Sequence, residues 1–324
     1  MKVLVTGASR QPGISLAGHL VEKGYTVRAL LDETDAAVQL SGIPFDRAPG
    51  SLLDPEALQA ALDSIQVVFN CGLSFRYLPP RANELLSSVT EGTRNLLLAM
   101  ARAGIEQLVH VGSAYSFGGG PLDNPGNEET PYDGGRFGLA CLDAAYASQE
   151  LVLRYASSRK VRAVVLDPTL VFGRGCDRYG PAAAIVEYAA TAPGRYPGGG
   201  TNVIAASDVA RAALKAFGRG KPGECYIVGG RNVTYRELLG LVSASLGVWS
   251  PERLSPDAEV LARGFMGSLC GAVSRRRPAV TRGLARMAIV PTFYSSEKAS
   301  RELDFSAGPI EAAIEDTCRD HTRP

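Results

Sequence analysis

The first two dozen residues constrain the fold more than any other part of the chain. An apolar run, Val3–Thr6, meets the loop Thr6-Gly7-Ala8-Ser9-Arg10-Gln11-Pro12-Gly13. Ile14–Lys23 follows, with Ile14, Ala17, Leu20 and Val21 at helical spacing before Gly24. A strand, a glycine-bounded loop and a helix in that order must be continued by a second parallel strand, and Thr26–Leu31 supplies it. The alternation then repeats. Asp54-Pro55 opens a helix as N-cap and first-turn proline, Gln66–Asn70 reads as a strand, and Arg81–Ala103 is a long helix closed by Gly104. Gln107–Val111 is a strand, Ala140–Ser157 a helix and Arg162–Leu166 a strand. The pattern predicts an α/β fold, a Rossmann-type doubly wound parallel sheet with helices on both faces.

After Pro168 the rhythm breaks. Gly173–Gly200 is rich in Gly, Pro and Ala and reads as loops around a short helix. Asn202–Ala205 and Asp208–Phe217 return to strand and helix, and the capping box Thr234-Tyr235-Arg236-Glu237 starts a helix running to Leu246. Pro251–Thr292 carries helical stretches and the run Arg275-Arg276-Arg277, read as a solvated face. Gly264, Phe265, Met266 and Leu269 read either as a substrate lid or as core packing. The expected division is a dinucleotide-binding domain over 1–168 and 201–230. A smaller, mainly C-terminal substrate-binding subdomain takes 169–200 and 231–324.

Composition narrows the function classes. With 324 residues and 45% hydrophobic content there is material for a large core, and a net charge of +1 gives no strong overall field for nucleic acid or an anionic membrane. No stretch is long and apolar enough to span a bilayer, and Met1-Lys2 leads straight into the first strand, so the expected location is cytoplasmic. The six cysteines are scattered without a C-x-x-C pair, so neither a metal site nor a disulfide is expected. His19 and His110 fall within a helix and an apolar strand and read as structural.

The first loop has the context of a dinucleotide-binding turn. Gly7 permits the tight turn and Gly13 permits close packing of helix on sheet. Ser9, Arg10, Gln11 and Pro12 lie where pyrophosphate would meet the free N–H groups of the helix start. The middle glycine is missing, because Arg10 and Gln11 occupy both positions it could take. Arg10 can replace the lost backbone contact by bonding a phosphate through its guanidinium. At the end of the second strand stand Leu31 and Asp32, of which only Asp32 offers a carboxylate to ribose hydroxyls. Arg10 tilts the expectation toward NADPH, with NADH as the alternative.

These residues resemble the extended short-chain dehydrogenase/reductases, in particular the dihydroflavonol-reductase and 3β-hydroxysteroid-dehydrogenase-like branch, nearly from end to end. Gly50-Ser51-Leu52-Leu53-Asp54 is similar to the branch's Gly-Asp-Leu-x-Asp segment beside the adenine. Val68-Phe69-Asn70-Cys71-Gly72 is similar to its fourth strand and cofactor-side loop, and Glu91-Gly92-Thr93-Arg94-Asn95-Leu96-Leu97 to its Glu-Gly-Thr-x-Asn-Leu-Leu. Val109-His110-Val111-Gly112-Ser113 resembles Val-x-x-Ser-Ser. Leu166-Asp167-Pro168-Thr169-Leu170-Val171-Phe172-Gly173 resembles Leu-Arg-Pro-x-x-Val-Tyr-Gly, with Asp167 for Arg. Ser207-Asp208-Val209-Ala210 and Ser295-Ser296-Glu297-Lys298-Ala299 match later landmarks. The resemblance implies cofactor contacts at Ser51, Leu52, Asn70, Cys71, Gly72, Val111, Pro168, Leu170 and Val171. It also implies a catalytic Ser113 bonded to a substrate carbonyl, and a monomer or homodimer.

The family's Tyr-x-x-x-Lys pair is absent. Glu150 fixes the register, which puts Tyr146 at the Lys position and Leu142 at the Tyr position. Residues four apart share a helix face, so Tyr146 is expected near the site, one turn from the missing hydroxyl. A free phenol titrates near a pKa of about 10 and needs the neighbouring ammonium to act as a ready acid. General acid catalysis contributes roughly 10²–10⁴-fold. Tyr132-x-x-x-Arg136 is another Tyr–cation spacing, but Gly134-Gly135 argues against a helix there.

Three readings follow. The first is an atypical NAD(P)H-dependent ketoreductase for an aromatic ketone, similar to the ketoreductases of angucyclinone biosynthesis, with the proton drawn from Tyr146, water or the substrate's own phenol. The second is a non-catalytic NADP-binding sensor or scaffold. The third is a sugar-nucleotide epimerase or dehydratase, which would lean harder on the missing tyrosine.

Overall fold

The computed structural model describes residues 1–32, 40, 42–73, 82–159, 161–177, 180–191, 194–274 and 280–322. The first half holds β1 (Lys2–Thr6), α1 (Gly13–Glu22), β2 (Thr26–Leu31), β3 (Asp46–Pro49), α2 (Pro55–Ala61), β4 (Val67–Asn70), α3 (Ala82–Ala103) and β5 (Gln107–Val111). Then come α4 (Ala140–Arg159), β6 (Arg162–Pro168), β7 (Leu170–Phe172), α5 (Pro181–Thr191), β8 (Arg195–Tyr196), β9 (Gly200–Ala205), α6 (Ala206–Arg219) and β10 (Cys225–Val228). The last part is β11 (Arg231–Thr234), α7 (Tyr235–Leu246), β12 (Arg253–Leu254), α8 (Asp257–Ser274), α9 (Arg282–Ala288), β13 (Pro291–Thr292), α10 (Glu297–Leu303) and α11 (Glu311–Thr322).

Seven strands form one parallel sheet in the order β10-β6-β5-β4-β1-β2-β3. Period-two alternation in the strands sorts their side chains to two faces. Val3, Val5, Val27, Ala29, Val109 and Leu166 pack under α1, α6 and α10. Leu4, Leu30, Val68, Leu108 and Val165 pack under α2, α3 and α4. The chain leaves β1 toward β2 on one side and returns to β4 on the other. That reversal opens a crevice at the carboxyl ends of β1 and β4, where open α/β sheets bind ligands.

The smaller part is built on β9, which pairs with β7 and β13 in parallel and with β11 antiparallel. Residues 201–205 thus join this second sheet, whereas β10 closes the edge of the large one. Val186, Val203, Leu238, Val242 and Ile314 form the core of this part. Local signals hold: Asp54 accepts from Glu56 N–H and Ala57 N–H, and Thr234 and Glu237 close the capping box of α7. Arg81 and the run 275–277 lie outside the described residues.

Candidate active site

The loop after β1 is set by two glycines. Gly7 has φ of +65°, and a Cβ there would lie 2.2 Å from the Cys71 carbonyl oxygen. A Cβ on Gly13 would lie 2.3 Å from the Gly7 carbonyl oxygen. Backbone meets backbone at both points, so no side chain can be absorbed by repacking. The resulting turn lets β1, β4 and the start of α1 converge on one crevice; α1 begins at Gly13, and Gln11 Oε1 accepts from the Ser15 N–H of its first turn at 3.3 Å.

The crevice has two halves. One is lined by Thr6, Gly7, Ser9, Arg10, Leu30, Asp32, Gly50, Ser51, Leu52, Asn70, Gly72, Ser88 and Thr93 among others. The other carries Gln11, Pro12, Cys71, Val111, Ser113, Leu142, Pro168, Leu170, Val171 and Asp177, and shares Gly7, Ser9, Arg10 and Gly72 with the first. Most residues expected at the cofactor thus line one groove. Gly13 shapes the groove from behind. Leu31 is fully buried in the core beneath α1, and Leu30 and Asp32 on either side of it face the groove instead. Arg10 Nε sits 3.6 Å from Asp177 Oδ2, and Gln11 Nε2 donates to the Arg174 carbonyl at 2.6 Å. Asp177 is a groove residue that sequence reasoning missed, because its partner lies far away in the chain.

Beneath the groove runs a buried hydrogen-bond chain. Thr6 donates to Asn70 Oδ1 at 2.6 Å, Asn70 meets His110 Nδ1 at 2.9 Å, and His110 Nε2 lies 3.4 Å from Ser148 Oγ, which bonds Thr93 at 2.8 Å. Burial pulls the His110 imidazole down to about 4, so it is neutral at pH 7.

At the far end of the groove stands Ser113. Its backbone N–H donates to Asp167 Oδ1 at 2.9 Å, and its Oγ accepts from Tyr115 N–H at 3.3 Å. With an acceptor role taken, the hydroxyl proton is left to donate into the crevice. Asp167 is fully buried, and its Oδ2 has no hydrogen-bond partner among the described residues. Burial raises this carboxyl well above the usual range. The Ser113 N–H works against that shift, as does Lys298, while Glu128 adds to it. A Cβ on Gly112 would lie 2.3 Å from Asp167 Oδ1.

Leu142 lines the crevice with Ser113, while its side chain packs with Ala114, Tyr115, Ile227 and Met287. Tyr146 is not among the described residues lining the crevice. Its ring stacks on Tyr132 at 4.3 Å between centroids and 4° between planes, and Tyr132 donates to Asp143 Oδ1 at 2.5 Å. Arg136 pairs with Asp133 at 3.0 Å rather than with the Tyr132 phenol.

Beyond Ser113 a second chamber shares Tyr115, Leu170 and Pro181 with the crevice. Ile185, Pro197, Leu239, Val260, Leu284 and Met287 make it apolar, with Tyr188 and Tyr235 as polar handles. Burial pushes the Tyr115, Tyr188 and Tyr235 phenols up rather than down, so none of the three is tuned as an acid. The same cause holds the Cys71 and Cys176 thiols up at about 12. This chamber comes from α5, α7, α8 and α9, and no local sequence signal marks it.

A nicotinamide dinucleotide fits this donor set. Two glycines whose Cβ atoms would strike backbone clear its path, and the two halves of the groove, which share Gly7, Ser9, Arg10 and Gly72, reach from Asp32 to Ser113. Comparison with known proteins agrees. Residues 3–229 match the model of the NAD dependent epimerase/dehydratase family. The chain is 28% identical to a 2-alkyl-3-oxoalkanoate reductase of Stenotrophomonas maltophilia, over 94% of each chain. It is 27% identical to a 4-hydroxy-2-methyl-3-oxo-4-farnesyl-3,4-dihydroquinoline-1-oxide ketoreductase of Stigmatella aurantiaca, over 94% of this chain and 92% of that one. Among solved structures, gox2253 superposes with a TM-score of 0.83 at 28% identity, covering 98% of this chain and 97% of that one. A glycine-cleared groove ending at Ser113, on this strand order and with this match, means that the chain belongs to the NAD dependent epimerase/dehydratase family.

Proposed function

We propose that this protein is a ketoreductase that uses NADPH in preference to NADH and reduces a ring ketone of an aromatic polyketide, of the angucyclinone type, which brings its own phenol to the reaction. The observation that carries the reading is Leu142 beside Ser113, at the mouth of an apolar chamber. When bound, the cofactor supplies the hydride. Ser113 donates its hydroxyl proton as a hydrogen bond to the substrate carbonyl oxygen and stabilises the charge that grows there. The apolar walls exclude water and hold the rings flat against the crevice.

Leu142 cannot deliver a proton, and burial makes the nearby phenols weaker acids. A hydroxyl on the substrate, next to the ketone, takes over by bonding the developing alkoxide. NADPH is preferred because Arg10 borders both halves of the groove and can turn from Asp177 to a phosphate. The Stigmatella relative, named for a ketone on a fused ring with a farnesyl tail, is in keeping with a large apolar substrate.

The test is NADPH oxidation, followed by absorbance, across a panel of polycyclic ketones with a free neighbouring phenol and their methyl ethers. Turnover of the free phenols, lower by about 100-fold in the ethers, is the expected result. NADH should support turnover more weakly. Tight NADPH binding with no oxidation of any panel member would instead make this a cofactor-binding protein without catalysis.

A further inference from the structure

Three phenols line the apolar chamber beyond Ser113, and two of them are committed. Tyr115 shares a hydrogen bond with Thr201 at 2.9 Å, and the Tyr188 hydroxyl donates to the Arg195 carbonyl at 3.2 Å. The Tyr235 hydroxyl has no hydrogen-bond partner among the described residues. The same contrast holds for the buried tyrosines, which are Tyr115, Tyr226, Tyr235 and Tyr294 among the described residues. Tyr226 donates to Glu302 at 3.1 Å and Tyr294 to the Phe117 carbonyl at 3.2 Å, so Tyr235 is the unpaired one of the set. A buried phenol normally ends on a partner, because losing water without one costs free energy. Tyr235 is only 8% exposed. Ser116 Oγ, Gln149 Oε1, Asp167 Oδ2 and Ser243 Oγ are sealed without a partner among the described residues. The Tyr235 oxygen is not one of these sealed atoms, so it keeps an open surface, and the space it borders is the chamber.

Backbone fixes where this phenol stands. Tyr235 opens α7 directly after its N-cap Thr234, and its own N–H donates to the Gly199 carbonyl at 3.1 Å. Burial pushes the phenol up, so the proton stays on and the hydroxyl remains a donor at ordinary pH. Ile185, Leu239 and Leu284 in the same chamber carry no polar side-chain atom. From α8 the chamber receives Val260, whereas Phe265, Met266 and Leu269 are exposed and do not line it. Tyr115 lines both crevice and chamber, while Tyr235 lines the chamber and not the crevice. A group that meets Tyr235 therefore belongs to the part of a substrate that lies away from Ser113. We propose that Tyr235 is a specificity residue, whose hydroxyl donates a hydrogen bond to a second oxygen of the substrate, a phenol or carbonyl on the ring farthest from the reacting ketone. The place of the ketone rests on the ketoreductase reading; the unpaired hydroxyl does not. A polycycle without that oxygen would gain apolar contact but leave the phenol unpaired, which is how a buried polar group discriminates.

The test uses a matched pair of dihydroanthracenones, both with a phenol beside the ketone, one with and one without a second hydroxyl on the far ring. Calorimetry reads their binding to the full chain with NADP⁺ present, so that no turnover intervenes. The member with the second hydroxyl should bind about tenfold tighter, as expected for one hydrogen bond to an otherwise unpaired donor. Tyr235→Phe should weaken that member about tenfold and leave the other within about twofold. In turnover the loss should fall on KM rather than kcat. Equal affinity of the two in the unaltered chain overturns the proposal, as does binding of neither. So does a variant that loses both alike, because packing and not the hydroxyl would then be responsible. Melting gives an independent check. Tyr294→Phe removes a paired phenol and should melt lower by about 2 °C, whereas Tyr235→Phe should melt no lower than the unaltered chain. An equal drop in both would place a partner within the protein and overturn the proposal. The expected preference without turnover of either member would end the ketoreductase reading and leave Tyr235 its role; turnover without the preference would do the reverse.

Discussion

The cofactor groove and the reacting end of the crevice lie on one sheet but are built differently. The groove is mostly backbone: Gly7 and Gly13 meet carbonyl oxygens, and Gly72 N–H donates to Asn70 Oδ1. The reacting end is mostly side chain, with Ser113 held by Asp167 and Leu142 packed on Tyr115 and Ile227. Backbone geometry changes only when the fold changes, whereas a side chain on a helix face can be exchanged one residue at a time. The difference teaches why such a chain can keep a groove while its proton-donating pair is rewritten.

Ser113→Ala tests the comparison where the effect should be largest. Removing one hydrogen-bond donor from a developing oxyanion costs about 10²–10³ in kcat. The loss should appear in kcat with NADPH affinity unchanged. A variant with normal kcat would remove Ser113 from the reaction and leave the reacting end with no chemistry of its own.

His110 joins the two regions, since its hydrogen-bond chain runs from Thr6 under the groove to Ser148 on α4. Its folded-state value of about 4 lies below the ordinary 6.5, so the unfolded chain binds the proton more readily. Stability is therefore full above pH 6.5 and is lost as the pH falls from 6.5 toward 4, by up to about 3 kcal/mol. Thermal melts across that range should show the slope, and His110→Gln should flatten it. An unchanged slope in the variant would assign the acid sensitivity to other groups.

The smallest effect should come from Tyr146→Phe. The ring stacks on Tyr132 and lines neither chamber, so turnover should change by less than about threefold. A loss near 100-fold would return the proton to Tyr146 and end the substrate-assisted reading.

What could be read from the sequence follows the same division. Strands such as Val3–Thr6 and Gln107–Val111 were legible because burial on both faces forces continuous apolar runs, and the capping residues Asp54 and Thr234 act within one turn. β3, with the sequence DRAP, was not legible, because an edge strand with mostly exposed side chains carries no apolar pattern. β9 looked like one more strand of the large sheet, since local sequence does not say which sheet a strand joins. Register along α4 put Tyr146 on the face of Leu142, but its direction is set by Tyr132, from a loop before the helix. Leu31 was taken for a groove residue because it ends β2, and the pleat turned it inward. Asp177 and the apolar chamber depend on pairings between distant segments.

The contact between Gly112 and Asp167 ties two departures together. Both positions depart from the pattern that the flanking residues resemble, which has serine and arginine there. A Cβ on residue 112 would lie 2.3 Å from Asp167 Oδ1, so a serine at 112 would need the buried carboxylate to turn away and release the Ser113 N–H it now accepts. Two positions far apart in the chain thus answer to one space, and a change at either is felt at the other.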